Sequence, residues 1–198
     1  PLSHRNLIIN GAMQVAQRGT STASITSSTF GCVDRFELIS TNAGTVTMSQ
    51  ESDGPSGFSK SVKVLVTGAN GDASNTSNSA GQLRIRQNIE AQNLQHLAYG
   101  TSDAKALTFS FYAKTNLAGT YTIRCYSEDN SRDMSTSFTV SSTDASAQNW
   151  KRYSVSIPAN TSGTINNDNG IGIDISIHLA MGSNYTSGSL QSAWGSLV

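Results

Sequence analysis

Apolar and polar residues alternate along much of this chain. From position 171 onward, Ile171, Ile173, Ile175, Ile177, Leu179 and Met181 occupy one parity, while Gly172, Asp174, Ser176, His178 and Ala180 fill the other. An extended chain points successive side chains to opposite faces, so this run predicts a long strand with one buried face. The same rule turns Leu107, Phe109, Phe111 and Ala113 inward, and Thr108, Ser110, Tyr112 and Lys114 outward. It turns Tyr121, Ile123 and Cys125 inward, and Thr122, Arg124 and Tyr126 outward. Further strands are predicted around Val62, Val64 and Val66; around Leu83, Ile85 and Ile89; from Met134 to Val140; and around Tyr153, Val155 and Ile157. Turn residues bound them, as in Asn70-Gly71-Asp72, Asn116 to Gly119 and Asn166 to Gly170. The one helical turn predicted runs from Ala91 to Tyr99, and the Ser/Asn-rich stretch from Asp72 to Ala80 reads as a surface loop. The pattern predicts an all-β protein: an antiparallel two-sheet β-sandwich, specifically a jelly roll.

Composition narrows the functional classes. The chain has 198 residues, enough for one domain with a proper core, and its 13 Lys and Arg balance 13 Asp and Glu. Neutrality speaks against a general nucleic-acid binder or an anionic-membrane binder, because both partners are held chiefly by excess positive charge. No apolar run approaches the ~20 residues of a membrane-spanning helix, so membrane insertion is not expected. The start at Pro1 and the strand-like ending Trp194-Gly195-Ser196-Leu197-Val198 read as a piece of a longer protein. Cys32 and Cys125 are the only cysteines; they are either two buried free thiols or one bridge.

Catalytic signatures are thin. His4, His96 and His178 stand apart in sequence, with no second ligand at metal-binding spacing, and neither a nucleophile elbow nor a phosphate-binding glycine loop is present. No pair of carboxylates is singled out for glycoside hydrolysis, so the chain is read as a non-enzyme without cofactor or metal. Asp168, in the loop from Asn166 to Gly170, fits a turn better than a calcium site. Arg84 and Arg86 share a strand face and are either an anion site or a solvated or subunit-facing surface. Asn75, Asn160 and Asn184 begin glycosylation triplets of the kind that chance supplies in so Ser- and Thr-rich a chain. More suggestive are Tyr112, Arg124, Tyr126, Asp174 and His178, all on the polar parity of their strands. If these strands share a sheet, rings that stack on a sugar would lie beside planar groups that hydrogen-bond its hydroxyls. The alternative is that Tyr112 and Tyr126 are cross-strand partners that stabilise the sheet.

The N-terminal run Arg5-Asn6-Leu7-Ile8-Ile9-Asn10-Gly11-Ala12-Met13-Gln14-Val15-Ala16-Gln17-Arg18-Gly19-Thr20-Ser21, followed by Cys32-Val33-Asp34-Arg35-Phe36, resembles the opening of bacteriophage tail-fibre and related virion-fibre domains. In those proteins a strand and turn lead into a second strand that begins with the Asp-Arg-aromatic triplet. Later segments, among them Gln87-Asn88-Ile89-Glu90 and Ile171 to Gly182, are similar in order to the strands of a carbohydrate-binding-module-like jelly roll. The resemblance implies a single jelly-roll domain over residues 1–198 of a longer fibre protein, lacking its last strand. It implies a tail-fibre, capsid-fibre or decoration domain on the outside of a phage particle. The expected partners are copies of itself as a homotrimer, other virion proteins and a host cell-surface glycan. The alternative is a carbohydrate-binding module of a secreted or phage-borne polysaccharide-degrading enzyme. Within the motif, Ile8, Met13 and Val15 are expected in the core, Gly11 and Gly19 at turns, and Arg18 and Arg35 paired with Asp34 or Glu37.

Overall fold

A computed structural model describes residues 6–68, 80–186 and 188–196. The described strands are β1 (Ser21–Ile25), β2 (Thr29–Phe30), β3 (Glu37–Thr41), β4 (Thr45–Glu51), β5 (Ser61–Gly68), β6 (Gln82–Glu90), β7 (Leu107–Ala113), β8 (Gly119–Ser127), β9 (Arg132–Val140), β10 (Lys151–Ile157), β11 (Ile171–Met181) and β12 (Gly195–Ser196). All their pairings are antiparallel. One layer is a seven-stranded sheet in the order β12-β9-β8-β11-β6-β3-β2. The layer packed on it is divided into a three-stranded sheet, β1-β4-β5, and a two-stranded one, β10-β7. The protein is thus an all-β antiparallel sandwich with an interrupted second layer.

Each half of the second layer has its own core. Ile25, Val46 and Met48 from β1 and β4 meet Leu38 and Leu83 of the large sheet, with Cys32 and Val33 between them. At the other half, Ile123, Cys125, Met134, Phe138, Ile173 and Ile175 of the large sheet meet Phe109, Phe111, Tyr153 and Val155 of β7 and β10. The inward parities read from the sequence at β7, β8, β9 and β10 are therefore the ones that pack, as are those of β11 from Ile173 to Leu179; a bulge between His178 and Ala180 then turns Met181, expected inward, to the side of His178, with its Sδ 3.2 Å from Nδ1. Both thiols are free and buried, and burial raises the pKa of each.

Two elements differ from the sequence reading. The predicted turn is a 3-10 helix over Ala91–Leu97, but a further helix, α1 (Ser142–Ala147), follows β9. Its start is built by Ser141, whose Oγ accepts from the Asp144 amide at 3.1 Å and donates to the Asp144 carboxylate at 2.7 Å. That Ser-x-x-Asp signal was present in the sequence. The second difference concerns the N-terminal motif, which contains no strand from residue 6 to residue 20. It forms turns over the sandwich, with Leu7 and Ile8 against one core and Met13 against the other, while Val15 is exposed. Gly11 and Gly19 both lie at turns, as expected; in the first, closed by the Met13 amide on the Asn10 carbonyl at 2.9 Å, the left-handed positions are Asn10 (φ 58°) and Met13 (φ 56°), and in the second it is Gly19 itself (φ 107°). Asn10 is tolerated there because its side chain bridges the turn: Oδ1 accepts from the Val15 amide, and Nδ2 donates to the carbonyls of Val15 and Asp34. The motif is pinned inside by Gln87, which is 2% exposed and exchanges hydrogen bonds of 2.7 and 2.9 Å with the backbone of Ile9.

The loop predicted from Asp72 to Ala80 and the triplet at Asn75 fall, apart from Ala80, outside the described residues. Asn160 is 1% exposed, so its triplet is not available as a glycan acceptor. The loop from Asn166 to Gly170 is a turn, as expected. Asp168 Oδ1 accepts from the Gly170 amide, and the carbonyls of Asp168 and Gly170 receive the first amides of the 3-10 helix.

Candidate functional site

The outer face of the seven-stranded sheet is assembled in rows by the strand register. Phe30, Glu37, Arg86, Ser176, Arg124 and Ser135 stand opposite one another from β2 to β9, and Asn88, Asp174, Tyr126 and Asp133 form the neighbouring row. Arg124, Tyr126, Asp174 and His178, singled out from the sequence, thus do share a face. Arg84 and Arg86 join them.

This face is more closed than the alternation suggests. Asp174 and Ser176 are 2% and 1% exposed although they occupy the polar parity. The reason is geometric: β11 is a central strand with short polar residues, and the long side chains of β6 and β8 fold over it from both sides. Asp174 Oδ2 accepts from Arg86 Nη1 at 2.8 Å and lies 3.9 Å from Arg84 Nη1, while Arg86 Nε reaches Glu37 at 2.8 Å. On the other flank Arg124 Nε donates to Asp133 at 3.1 Å, and its guanidinium lies 4.6 Å from the centre of the Tyr126 ring. Burial lowers the pKa of Arg84; for Arg86 burial acts the same way but is outweighed by the hydrogen bonds it donates to Glu37 and Asp174, so its pKa rises. The two arginines are therefore bound into carboxylate pairs rather than left as an open anion site.

His178 lies beside this network, across the ladder from Arg84, with its Nδ1 3.2 Å from Met181 Sδ. Burial, followed by the positive charges of Arg84 and Arg124, depresses its pKa from 6.5 to about 4. The sign of the resulting pH dependence is fixed. The unfolded chain takes up a proton near pH 6.5 and the folded chain only near 4, so full stability holds above pH 6.5 and falls as the pH drops toward 4. The loss from this residue reaches about 3 kcal/mol at the bottom of the window. Chemical denaturation of His178→Gln should show a flatter pH profile between those limits than the parent, whereas a parallel profile would exclude this assignment.

Tyr112 requires a correction. The reading that placed it with the other four fails, because β7 pairs with β10 and belongs to the opposite layer. There it meets different company. Phe58 packs on it with ring centroids 5.8 Å apart, and the two rings are 43% and 40% exposed. Phe58 is presented by a tight turn whose closing bond runs from its amide to the Pro55 carbonyl at 2.9 Å, with Gly57 at φ 89°. That φ is what glycine supplies at the third position of a type II turn. Beyond Tyr112, Lys114 pairs with Asp53, Trp150 Nε1 donates to the same carboxylate at 3.1 Å, and the Lys114 ammonium sits 5.2 Å from the Trp150 ring centre. Lys114, then Trp150, hold the Asp53 carboxyl below its usual range. Arg152 stands directly across from Tyr112 in the ladder.

The sequence did not disclose Phe58, Trp150 or Asp53 as neighbours of Tyr112, since only the fold brings residues 53, 58, 112 and 150 together. A signal did exist in the turn residues Pro55-Ser56-Gly57 beside an unpatterned Phe.

A third feature is a recess of about 430 Å³ at the end of the large sheet, lined by Arg18, Phe30, Asp34, Arg35, Asn88 and Glu90, among others. Arg18 meets Asp34 at 3.3 Å as expected, but Arg35 reaches Glu90 at 2.5 Å, leaving Glu37 to Arg86. At the rim, one arginine of the motif is thus answered within the motif and the other by Glu90 at the end of β6.

Comparison of the chain with protein-family models, with curated proteins and with solved structures returns no match.

Proposed function

We infer that this chain is a structural domain of a phage fibre or capsid decoration, assembled with copies of itself on the outside of the particle, and that it holds a host-surface glycan on the outer face of β7 and β10. The N-terminal resemblance supports the virion reading, and a β-sandwich is a scaffold compatible with it. The observation that carries the binding role is the exposed Phe58–Tyr112 pair, fixed by a tight turn and edged by hydrogen-bonding side chains. Two rings left in water at this density form an apolar platform for the C–H face of a sugar, while Arg152, Asp53 and Ser110 can address its hydroxyls.

The outer face of the seven-stranded sheet serves this role less well. The Tyr126 ring is already covered by Arg124, and Asp174 is buried under arginines. That face is read as structural.

The test is glycan binding by the parent protein beside a Phe58→Ala/Tyr112→Ala variant whose fold is confirmed by circular dichroism. Binding should fall at least about tenfold, in keeping with the loss of two stacking rings. Undiminished binding by the folded variant would move the site elsewhere, and absence of binding by the parent would leave a building role alone.

A further inference from the structure

We propose that the glycan held on this face is an acidic one, whose carboxylate is taken by Arg152 while its ring rests on Tyr112 and Phe58. The inference rests on the glycan-binding reading above and adds the ligand's charge and the residue that recognises it.

Arg152 differs from the other described arginines. Arg18, Arg35, Arg84, Arg86 and Arg124 are paired with carboxylates, and Arg132 donates to the Trp194 carbonyl at 2.7 Å. Arg152 is exposed, and its guanidinium makes a single hydrogen bond, from Nη2 to Ser110 Oγ at 3.2 Å. No carboxylate among the described residues pairs with it. The serine bond still leaves most of the planar donor fork open, beside the two aromatic rings, and a fork of this kind matches a carboxylate in bidentate fashion.

The charge around the rings has the same sign. The carboxylate there, Asp53, is already engaged by Lys114 and Trp150. Lys60, in the same loop as Phe58, donates only to Ser52 Oγ at 2.9 Å. With Asp53 answered by Lys114, Arg152 stands across the ladder from Tyr112 as a positive charge that no carboxylate pairs, although the chain as a whole is neutral. A neutral sugar would use the rings and leave this excess unanswered. A sugar acid uses both, and its attraction to the patch weakens as salt rises.

The experiment is a glycan array on which every acidic glycan is printed beside its carboxyl-reduced form, which has the same linkage and hydroxyls but CH2OH in place of the carboxylate. It is probed with the parent, with Arg152→Gln and with Phe58→Ala/Tyr112→Ala. The parent should prefer acidic members over their reduced partners by about tenfold or more, as expected for a charge-assisted bidentate contact. Arg152→Gln should keep weak binding and lose the preference, and the double variant should lose both. Equal binding of acidic and reduced forms by the parent would overturn the acidic assignment and leave the glycan reading standing. Binding to neither form would remove both. A single-stranded oligonucleotide included as a further probe should bind more weakly than the acidic glycans; stronger binding would assign the patch to stacked bases and phosphate instead.

Discussion

Replacing Asp174 with alanine should lower the stability of the fold by about 3–5 kcal/mol, the cost of leaving a buried charge without its partner. Asp174 is 2% exposed and accepts from Arg86 at 2.8 Å, with Arg84 at 3.9 Å. Its removal takes a carboxylate from two arginines whose side chains are only 21% and 14% exposed, and strands one of them. Glu37 remains for Arg86, but Arg84 keeps only the Ser176 hydroxyl at 3.3 Å. Urea denaturation monitored by fluorescence reads the loss directly. A change below about 1 kcal/mol would mean that the cluster behaves as a solvated surface pair. A double variant, Arg84→Met/Asp174→Leu, which leaves Arg86 paired with Glu37 at 2.8 Å, sharpens the test. Arg84 Nε and Asp174 Oδ1 have no partner even in the intact network, so their desolvation is only partly offset. Apolar side chains of similar volume should therefore recover most of what the single substitution loses.

Replacing Phe138 with alanine should cost a comparable ~3–5 kcal/mol, for a different reason. The Phe138 ring lies 4.6 Å from Tyr153, 5.0 Å from Phe111 and 5.4 Å from Tyr121, measured between centroids. It thereby joins β9 of the large sheet to both strands of the two-stranded sheet. Alanine would open a cavity at the place where that small sheet is held, and two strands alone are not stable in water. Hydrogen exchange should show protection falling most in β7 and β10, with β4 and β5 less affected because they pack on a separate core. Uniform loss of protection would show instead that the two cores unfold as one unit. Because β7 and β10 carry Tyr112 and Arg152, the same variant should also weaken glycan binding, although Phe138 itself is 9% exposed and faces the core.

Much of this architecture was legible from alternation. The strand from Ile171 to Met181 has the bounds that the period of two predicted, and the inward parities of β7 to β10, and of β11 between its two bulges, hold because a half-buried strand has few other ways to arrange such residues. Less regular elements escaped. β2 has only two residues, too short to carry a period, and the first turn of the N-terminal motif takes its left-handed positions at Asn10 and Met13 rather than at Gly11. A bulge between Ile171 and Ile173 carries Gly172, which alternation had placed on the polar face, to the 3-10 helix; there an added Cβ would lie 2.7 Å from the Ala91 Cα.

The residues by themselves determined the all-β class, which side chains face inward and which polar residues are candidates for chemistry, because these follow from a local period and local turn chemistry. Which strands become neighbours was decided only by tertiary structure. Local pattern is silent on pairing, since β6 meets β11 on one side and β3 on the other through register and long-range packing. That pairing separated Tyr112 from Arg124, Tyr126, Asp174 and His178, buried Asp174 beneath arginines from β6, and brought Phe58 from a distant turn onto Tyr112. Outwardness along a strand is a property of sequence; exposure depends on the length of the side chains that the neighbouring strands contribute.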